Sequence, residues 1–127
     1  MEQGFAYAAA ALIGVVIIFQ LALMLGAPWG HLAWGGRNVG VLPTRLRVGS
    51  GVAVLLLGLM AWVVLAAGSV VDISPLPESW LDVSVWVIFG YFVIGTLANL
   101  ASRSRPERWW AVVSFAVAVF VALVGVA

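Results

Sequence analysis

The sequence predicts an all-α fold, a polytopic transmembrane four-helix bundle that forms a single transmembrane domain over residues 1–127. Composition is the first observation: 65% of the residues are hydrophobic and 9% are charged, whereas an average soluble domain is about 45–50% apolar and about 25% charged. The second is a set of four long apolar segments, each near the roughly 20 residues that a helix needs to cross a bilayer. The third is that these segments are continuous rather than alternating, which indicates helices and not the strands of a barrel.

The predicted spans contain no Arg or Lys, and Asp82, at the edge of the third, is their only acid. The first segment follows Glu2 without a preceding cation. It is also longer than the apolar region of roughly 7–15 residues in a secretory signal, so we expect a retained span. The four spans are residues 5–25, 48–71, 80–101 and 109–126.

Helix-start signals lie in the polar breaks between the spans. Thr44 is placed to cap the second helix. Ser79 with Asp82, and Ser104 with Glu107, have the spacing of a capping box. In such a box the Ser oxygen accepts from a free backbone N–H, while the acid reaches back to the N–H of the cap residue. We therefore interpret both acids as capping residues.

The charges predict the orientation in the membrane. All six cations are Arg, and they lie in two connections, residues 26–47 and 102–108. If the spans alternate in direction, both connections share one side, while the two termini and residues 72–79 share the other side and carry only acids. Short loops rich in Arg stay in the cytoplasm. We therefore expect a multi-pass protein of the cell (inner or plasma) membrane, with the N- and C-termini outside and residues 26–47 in the cytoplasm.

The first connection, GAPWGHLAWGGRNVGVLPTRLR, covers residues 26–47 and is much longer than the other one on its side. Gly26 suits the left-handed position that ends a helix, and Pro28 prevents continuation of that helix. The Gly pair at 35–36 permits positive φ angles. Trp34 is expected to be an interfacial anchor. The length predicts an ordered segment, either re-entrant between the helices or flat on the membrane surface.

The candidate pocket consists of Gln20, His31, Arg37, Asn99 and Ser114, which all approach the cytoplasmic side. Two interpretations remain open. The polar groups of the spans can simply form hydrogen bonds between helices, or the set can line a cytoplasm-facing pocket for a lipid head group or a small anion. The single His has no acid or Cys beside it, which makes a poor metal site and favours a structural role.

Several classes of function are excluded or disfavoured. The chain has no Cys, so thiolate metal sites and thiol nucleophiles are absent. No catalytic set of His, Asp and Ser can be assembled, and no carboxylate lies deep inside a span, where proton-coupled transport needs one. A net charge of +1 gives no reason to expect a nucleic-acid partner. We therefore predict a protein that is not an enzyme and has no cofactor or metal.

The motifs GAPWGHLAWGG, GVLPTRLR and NLASRSRPERWW resemble those of an uncharacterised family of small bacterial integral membrane proteins with four spans. The resemblance covers essentially the whole chain. It implies the four-span architecture and provides no activity, substrate or functional residue.

Two functional hypotheses follow from the sequence. The favoured one is a non-enzymatic accessory or scaffold protein that packs against another membrane protein or forms a homo-oligomer, because every span has a stripe of small or polar residues of the kind found at helix contacts. The alternative is binding or transport of a lipid or small amphiphile through the cytoplasm-facing polar pocket.

Overall fold

The computed structural model describes the whole chain, Met1–Ala127, and contains four α-helices and no strand. They are α1 (Glu2–Met24), α2 (Thr44–Ala67), α3 (Glu78–Leu100) and α4 (Arg105–Val126). Each helix is long and apolar enough to cross a membrane. The predicted all-α architecture is therefore confirmed.

The helices begin before the apolar runs that predicted them, and α2 ends at Ala67, before the predicted end of its span at residue 71. α2 begins at Thr44 and α4 at Arg105, whereas the corresponding apolar runs begin at residues 48 and 109. Apolar residues mark the part of a helix that matches the bilayer core. The polar flanks are helical too, and hydropathy does not detect them.

The bundle consists of two antiparallel hairpins. α1 packs along α2, α3 packs along α4, and the hairpins meet mainly through α1 and α4. α2 and α3 contact each other only sparsely. We call the end that carries residues 25–43 and 101–104 the connection end, and the end that carries both chain termini and residues 68–77 the terminal end. The predicted placement of both Arg-bearing connections at one end is confirmed, because the Ser104 hydroxyl donates to the His31 carbonyl.

The hydrophobic core fills the half of the bundle next to the terminal end. There α1 approaches α2 closely, since a Cβ atom on Gly68 would collide with the Cβ of Ala6. Such small residues let helix backbones pack tightly. The core residues that have no exposed surface are Ala6, Ala9, Ile13, Val64, Val117 and Val121.

Prolines precede α2 and α3, so the predicted side-chain caps of these helices are wrong. Thr44 is the first residue of α2, and Pro43 holds the N-cap position with φ −61° and ψ 154°. Pro77 does the same for α3, which starts one residue before Ser79, so Asp82 lies inside the helix. The proline ring fixes φ near the value that a cap needs. Neither cap makes a side-chain hydrogen bond.

α1 ends as its sequence predicts. Gly26 has a φ of +100°, its N–H donates to the carbonyl of Leu23, and the next N–H, of Ala27, donates to the carbonyl of Ala22 at 2.9 Å. These two bonds form a Schellman motif, which satisfies carbonyls that the end of a helix leaves free.

The connection between α1 and α2 folds back on itself. The Gly30 N–H donates to the Gly40 carbonyl at 2.8 Å, and a Cβ on Gly30 would collide with the carbonyl of Asn38. Gly35 and Gly36 have φ angles of +82° and +75°, which confirms the predicted positive φ of this pair. A second small core, formed by Leu23, Ala33 and Leu42, attaches the segment to the bundle.

Candidate functional site

A cavity of about 460 Å³ lies between α2 and α3 in the half of the bundle next to the connection end. Twelve of its 18 lining residues are hydrophobic. All four helices and the connection contribute to its wall. We call it the α2–α3 cavity, and its apolar wall includes Phe19, Leu57, Tyr91, Phe92 and Trp110.

Asn99 and Ser114 meet on the wall of this cavity. The Asn99 amide Nδ2 donates to the Ser114 Oγ at 3.1 Å, which joins α3 to α4. For this pair the structure agrees with the interpretation of polar groups as interhelical hydrogen bonds, each contributing roughly 0.6 kcal/mol on average in membrane proteins.

Gln20 lines the same cavity and behaves differently. Its Oε1 atom is buried and has no hydrogen-bond partner in the protein. A buried acceptor without a partner costs about 1–3 kcal/mol, and most buried polar groups in native proteins are paired. The carbonyl oxygen of Gln20 therefore does not join two helices by a hydrogen bond.

Glu107 is a cavity residue that the sequence reasoning missed. Its side chain is 8% exposed, and its Oε2 accepts the backbone N–H of Gly35 at 3.1 Å. The Ser104 hydroxyl does cap α4, accepting from the Glu107 N–H at 3.3 Å. The Ser104 N–H, however, donates to the Ser102 Oγ, so the acid does not complete the predicted box. One signal in the sequence could have identified it: Glu107 is the only acid in the two connections, which carry all six Arg.

The connection forms part of the cavity wall at the connection end. Trp34 lies on the cavity wall, and its Nε1 donates to the Ser50 Oγ on α2 at 3.3 Å. The Trp34 ring would contact a Cβ on Gly49 at 3.0 Å. Trp34 has a φ of +52°, which is uncommon for a residue other than Gly. On the α4 side, the Ser104 hydroxyl donates to the His31 carbonyl at 2.6 Å. These bonds fix the connection to α2 and α4.

A second, smaller cavity lies next to the first. It has a volume of about 320 Å³ and shares Gly35, Ala98 and Glu107 with the α2–α3 cavity. Arg37 and Arg103 also line it, so we call it the arginine cavity. The Glu107 side chain lies where the two cavities meet.

The five predicted pocket residues are therefore divided among three places. Gln20, Asn99 and Ser114 line the α2–α3 cavity, and Arg37 lines the arginine cavity. His31 lines neither: its side chain is exposed, and only its backbone carbonyl contributes a contact. The His and the acids do not form a group of three that could hold a metal ion.

The chain matches no protein-family model, no curated protein and no solved structure. The resemblance to a bacterial four-span family therefore stays a prediction from the sequence motifs.

Proposed function

We propose that this protein binds the apolar chain of a membrane lipid, or of another small amphiphile, in the α2–α3 cavity. The observation that carries the proposal is a mostly apolar cavity between two helices that are each apolar enough to cross a membrane and that contact each other sparsely. In a bilayer such a gap faces hydrocarbon, so a lipid chain is the molecule that most readily enters it. The proposed role involves no catalysis and no cofactor.

The size of the cavity supports this proposal. Its volume of about 460 Å³ falls within the roughly 300–1,000 Å³ of typical small-molecule sites. Such sites combine an apolar wall with a few polar groups that orient the ligand. Here those groups are the carboxyl of Glu107, whose Oε2 accepts from Gly35, and the side chains of Asn99 and Ser114. They suit a ligand that has a hydroxyl, amide or amine beside its chain.

The packing supports binding rather than transport. The core side chains of Ile13, Val64 and Val121 are fully buried in the terminal half of the bundle. A ligand in the α2–α3 cavity has no continuous path along the bundle axis to the terminal end, because those side chains occupy it. We therefore favour a binding site in one leaflet over a channel or carrier.

The proposal also includes the orientation of the protein in the membrane and the leaflet that supplies the ligand. All six Arg of the chain lie near the connection end, and Arg-bearing loops stay in the cytoplasm. We propose that the connection end faces the cytoplasm of the cell membrane and that both termini lie outside. The ligand then comes from the cytoplasmic leaflet.

An accessory or scaffold role, with a partner protein or a second copy, stays a prediction from the sequence. The apolar side chains exposed on the four helices have the character of any lipid-facing surface. None of them favours a protein neighbour over lipid.

The proposal can be tested by filling the cavity. Gly95 lies on its wall, and a Cβ there would have only the Ser114 Oγ within 4 Å, at 3.9 Å. The Cβ of Gly95→Leu therefore meets no backbone atom outside its own helix, and we expect the rest of the side chain to take up space in the cavity. It occupies on the order of 100 Å³, near the space left when a buried Leu is removed from a core. Gly90→Leu is the matched control, since Gly90 is on the same helix, does not line the cavity and has no atom within 4 Å of its Cβ position.

The measurement is native mass spectrometry of the protein in mild detergent with added dioleoylglycerol. We expect wild type and Gly90→Leu to retain the lipid equally, and Gly95→Leu to retain several-fold less. Both variants replace a Gly inside a helix by Leu, and this replacement stabilises the helix by up to about 1 kcal/mol. A loss of lipid by Gly95→Leu therefore does not reflect a weakened fold. Retention by Gly95→Leu at the level of wild type would refute the proposed site.

A further inference from the structure

The arginine cavity contains two cations that no other group in the protein engages. The guanidinium groups of Arg47 and Arg108 donate to the backbone carbonyls of Met24 and Ser102, each at 3.0 Å. Arg37 and Arg103 line the arginine cavity, and their guanidinium groups take part in none of the hydrogen bonds within the protein. Both side chains are exposed. They can therefore turn toward an anion without breaking an existing contact.

The one acid beside these cations is Glu107, and its carboxyl is already used. Its Oε2 accepts the Gly35 N–H at 3.1 Å, so this oxygen is directed at the connection. The cavity thus retains an excess of positive charge. A guanidinium presents a planar fork of N–H donors that matches the oxygens of a phosphate.

The two cavities fit two parts of one molecule. They share Gly35, Ala98 and Glu107, so a ligand can extend from one into the other without crossing a helix. The α2–α3 cavity has a mostly apolar wall that includes no cation, and Glu107 is the one charged residue that lines it, so a negatively charged group inside it would meet a carboxylate without a compensating cation. The charges of the two linings therefore place an anion beside Arg37 and Arg103 in the arginine cavity and the apolar chain in the α2–α3 cavity.

We infer that the bound amphiphile is a phospholipid whose phosphate is held by Arg37 and Arg103 while an acyl chain occupies the α2–α3 cavity. This inference rests on the proposed function, because it assigns the head group of the same ligand. The chemistry recognised is a phosphate oxygen at the membrane surface.

The experiment compares two lipids with identical chains. Dioleoylphosphatidylglycerol carries the phosphate and dioleoylglycerol lacks it, and their retention is measured by native mass spectrometry at equal concentrations. We expect wild type to prefer the phospholipid by about tenfold, the scale of a charge-assisted hydrogen bond at a partly exposed site. The variant Arg37→Gln/Arg103→Gln should retain both lipids about equally, with dioleoylglycerol unchanged.

The matched control is Arg45→Gln/Arg105→Gln. Arg45 and Arg105 are exposed at the same end and line neither cavity, so the control removes the same charge and should keep the preference. A third arm adds millimolar inorganic phosphate, which lacks the chain and should leave the preference intact.

The inference is overturned if wild type retains the two lipids equally, if the control loses the preference as fully as the test variant, or if inorganic phosphate abolishes it. The last outcome would indicate a site for a free anion. These outcomes differ from failure of the proposed function, in which Gly95→Leu retains dioleoylglycerol as well as wild type does.

Discussion

The substitution Gly36→Ala tests how tightly the connection is held against α4. A Cβ at Gly36 would lie 2.5 Å from the Cβ of Ser104 and 3.4 Å from its Cα. Gly35, its neighbour, also has a positive φ, but a Cβ there meets nothing within 4 Å. Gly35→Ala and Gly36→Ala therefore introduce the same kind of backbone strain, but only Gly36→Ala also creates a collision.

The magnitudes follow from this difference. A left-handed conformation costs an Ala about 1–2 kcal/mol, so Gly35→Ala should destabilise by about that amount. Gly36→Ala has the same strain plus an overpacking cost of typically 1–3 kcal/mol, which gives about 2–5 kcal/mol in all. Ser104 cannot move away freely, because its hydroxyl caps α4 and also donates to the His31 carbonyl.

The assay is thermal unfolding in detergent together with hydrogen exchange of residues 30–40 followed by mass spectrometry. We expect Gly36→Ala to lower the unfolding midpoint further than Gly35→Ala does and to accelerate exchange across the connection. Equal effects of the two substitutions, or a larger effect of Gly35→Ala, would refute the packing of Gly36 against Ser104.

Three other predictions follow. Gln20→Leu removes a buried acceptor without a partner, so it should stabilise the lipid-free protein by about 1–2 kcal/mol; a lower unfolding midpoint would contradict this. Glu107→Ala removes the acceptor of the Gly35 N–H and should destabilise the protein by about 1–3 kcal/mol, with faster proteolysis of the connection. Glu107→Gln keeps an acceptor and should destabilise the protein less. Equal destabilisation by the two substitutions would argue against this hydrogen bond. A reporter fused after Ala127 should be active outside the cytoplasm, and cytoplasmic activity would overturn the proposed orientation.

The sequence predicts the number and order of the helices because a bilayer leaves little choice. Each apolar run must satisfy its backbone internally, and a helix does so within one segment. The helix starts were harder to predict, since Thr44 and Ser79 have the side chains of cap residues while the preceding Pro residues hold the cap positions. Local motifs therefore compete, and only the backbone geometry decides between them.

The sequence predicted some residues of the site and missed others. A polar residue inside a span stands out, so Gln20, Asn99 and Ser114 were identified from their positions alone. Glu107 fits a local capping motif, yet its carboxyl accepts from Gly35, 72 positions away in the chain. A tertiary contact of this kind leaves no local pattern. The division of the polar groups into two adjoining cavities likewise depends on how the connection folds.

The contacts that α1 makes with its neighbours differ between the two ends of the bundle. Near the terminal end, Ala6 and Gly68 allow α1 and α2 to approach closely. Near the connection end, the rings of Phe19 on α1 and Trp110 on α4 pack with their centroids 4.6 Å apart. Packed aromatic rings of this size are rigid, and such a pair contributes about 0.5–1.5 kcal/mol beyond burial. Both rings line the α2–α3 cavity, so part of its wall is rigid before a ligand binds, and a preformed cavity avoids part of the ordering cost that a ligand would otherwise meet.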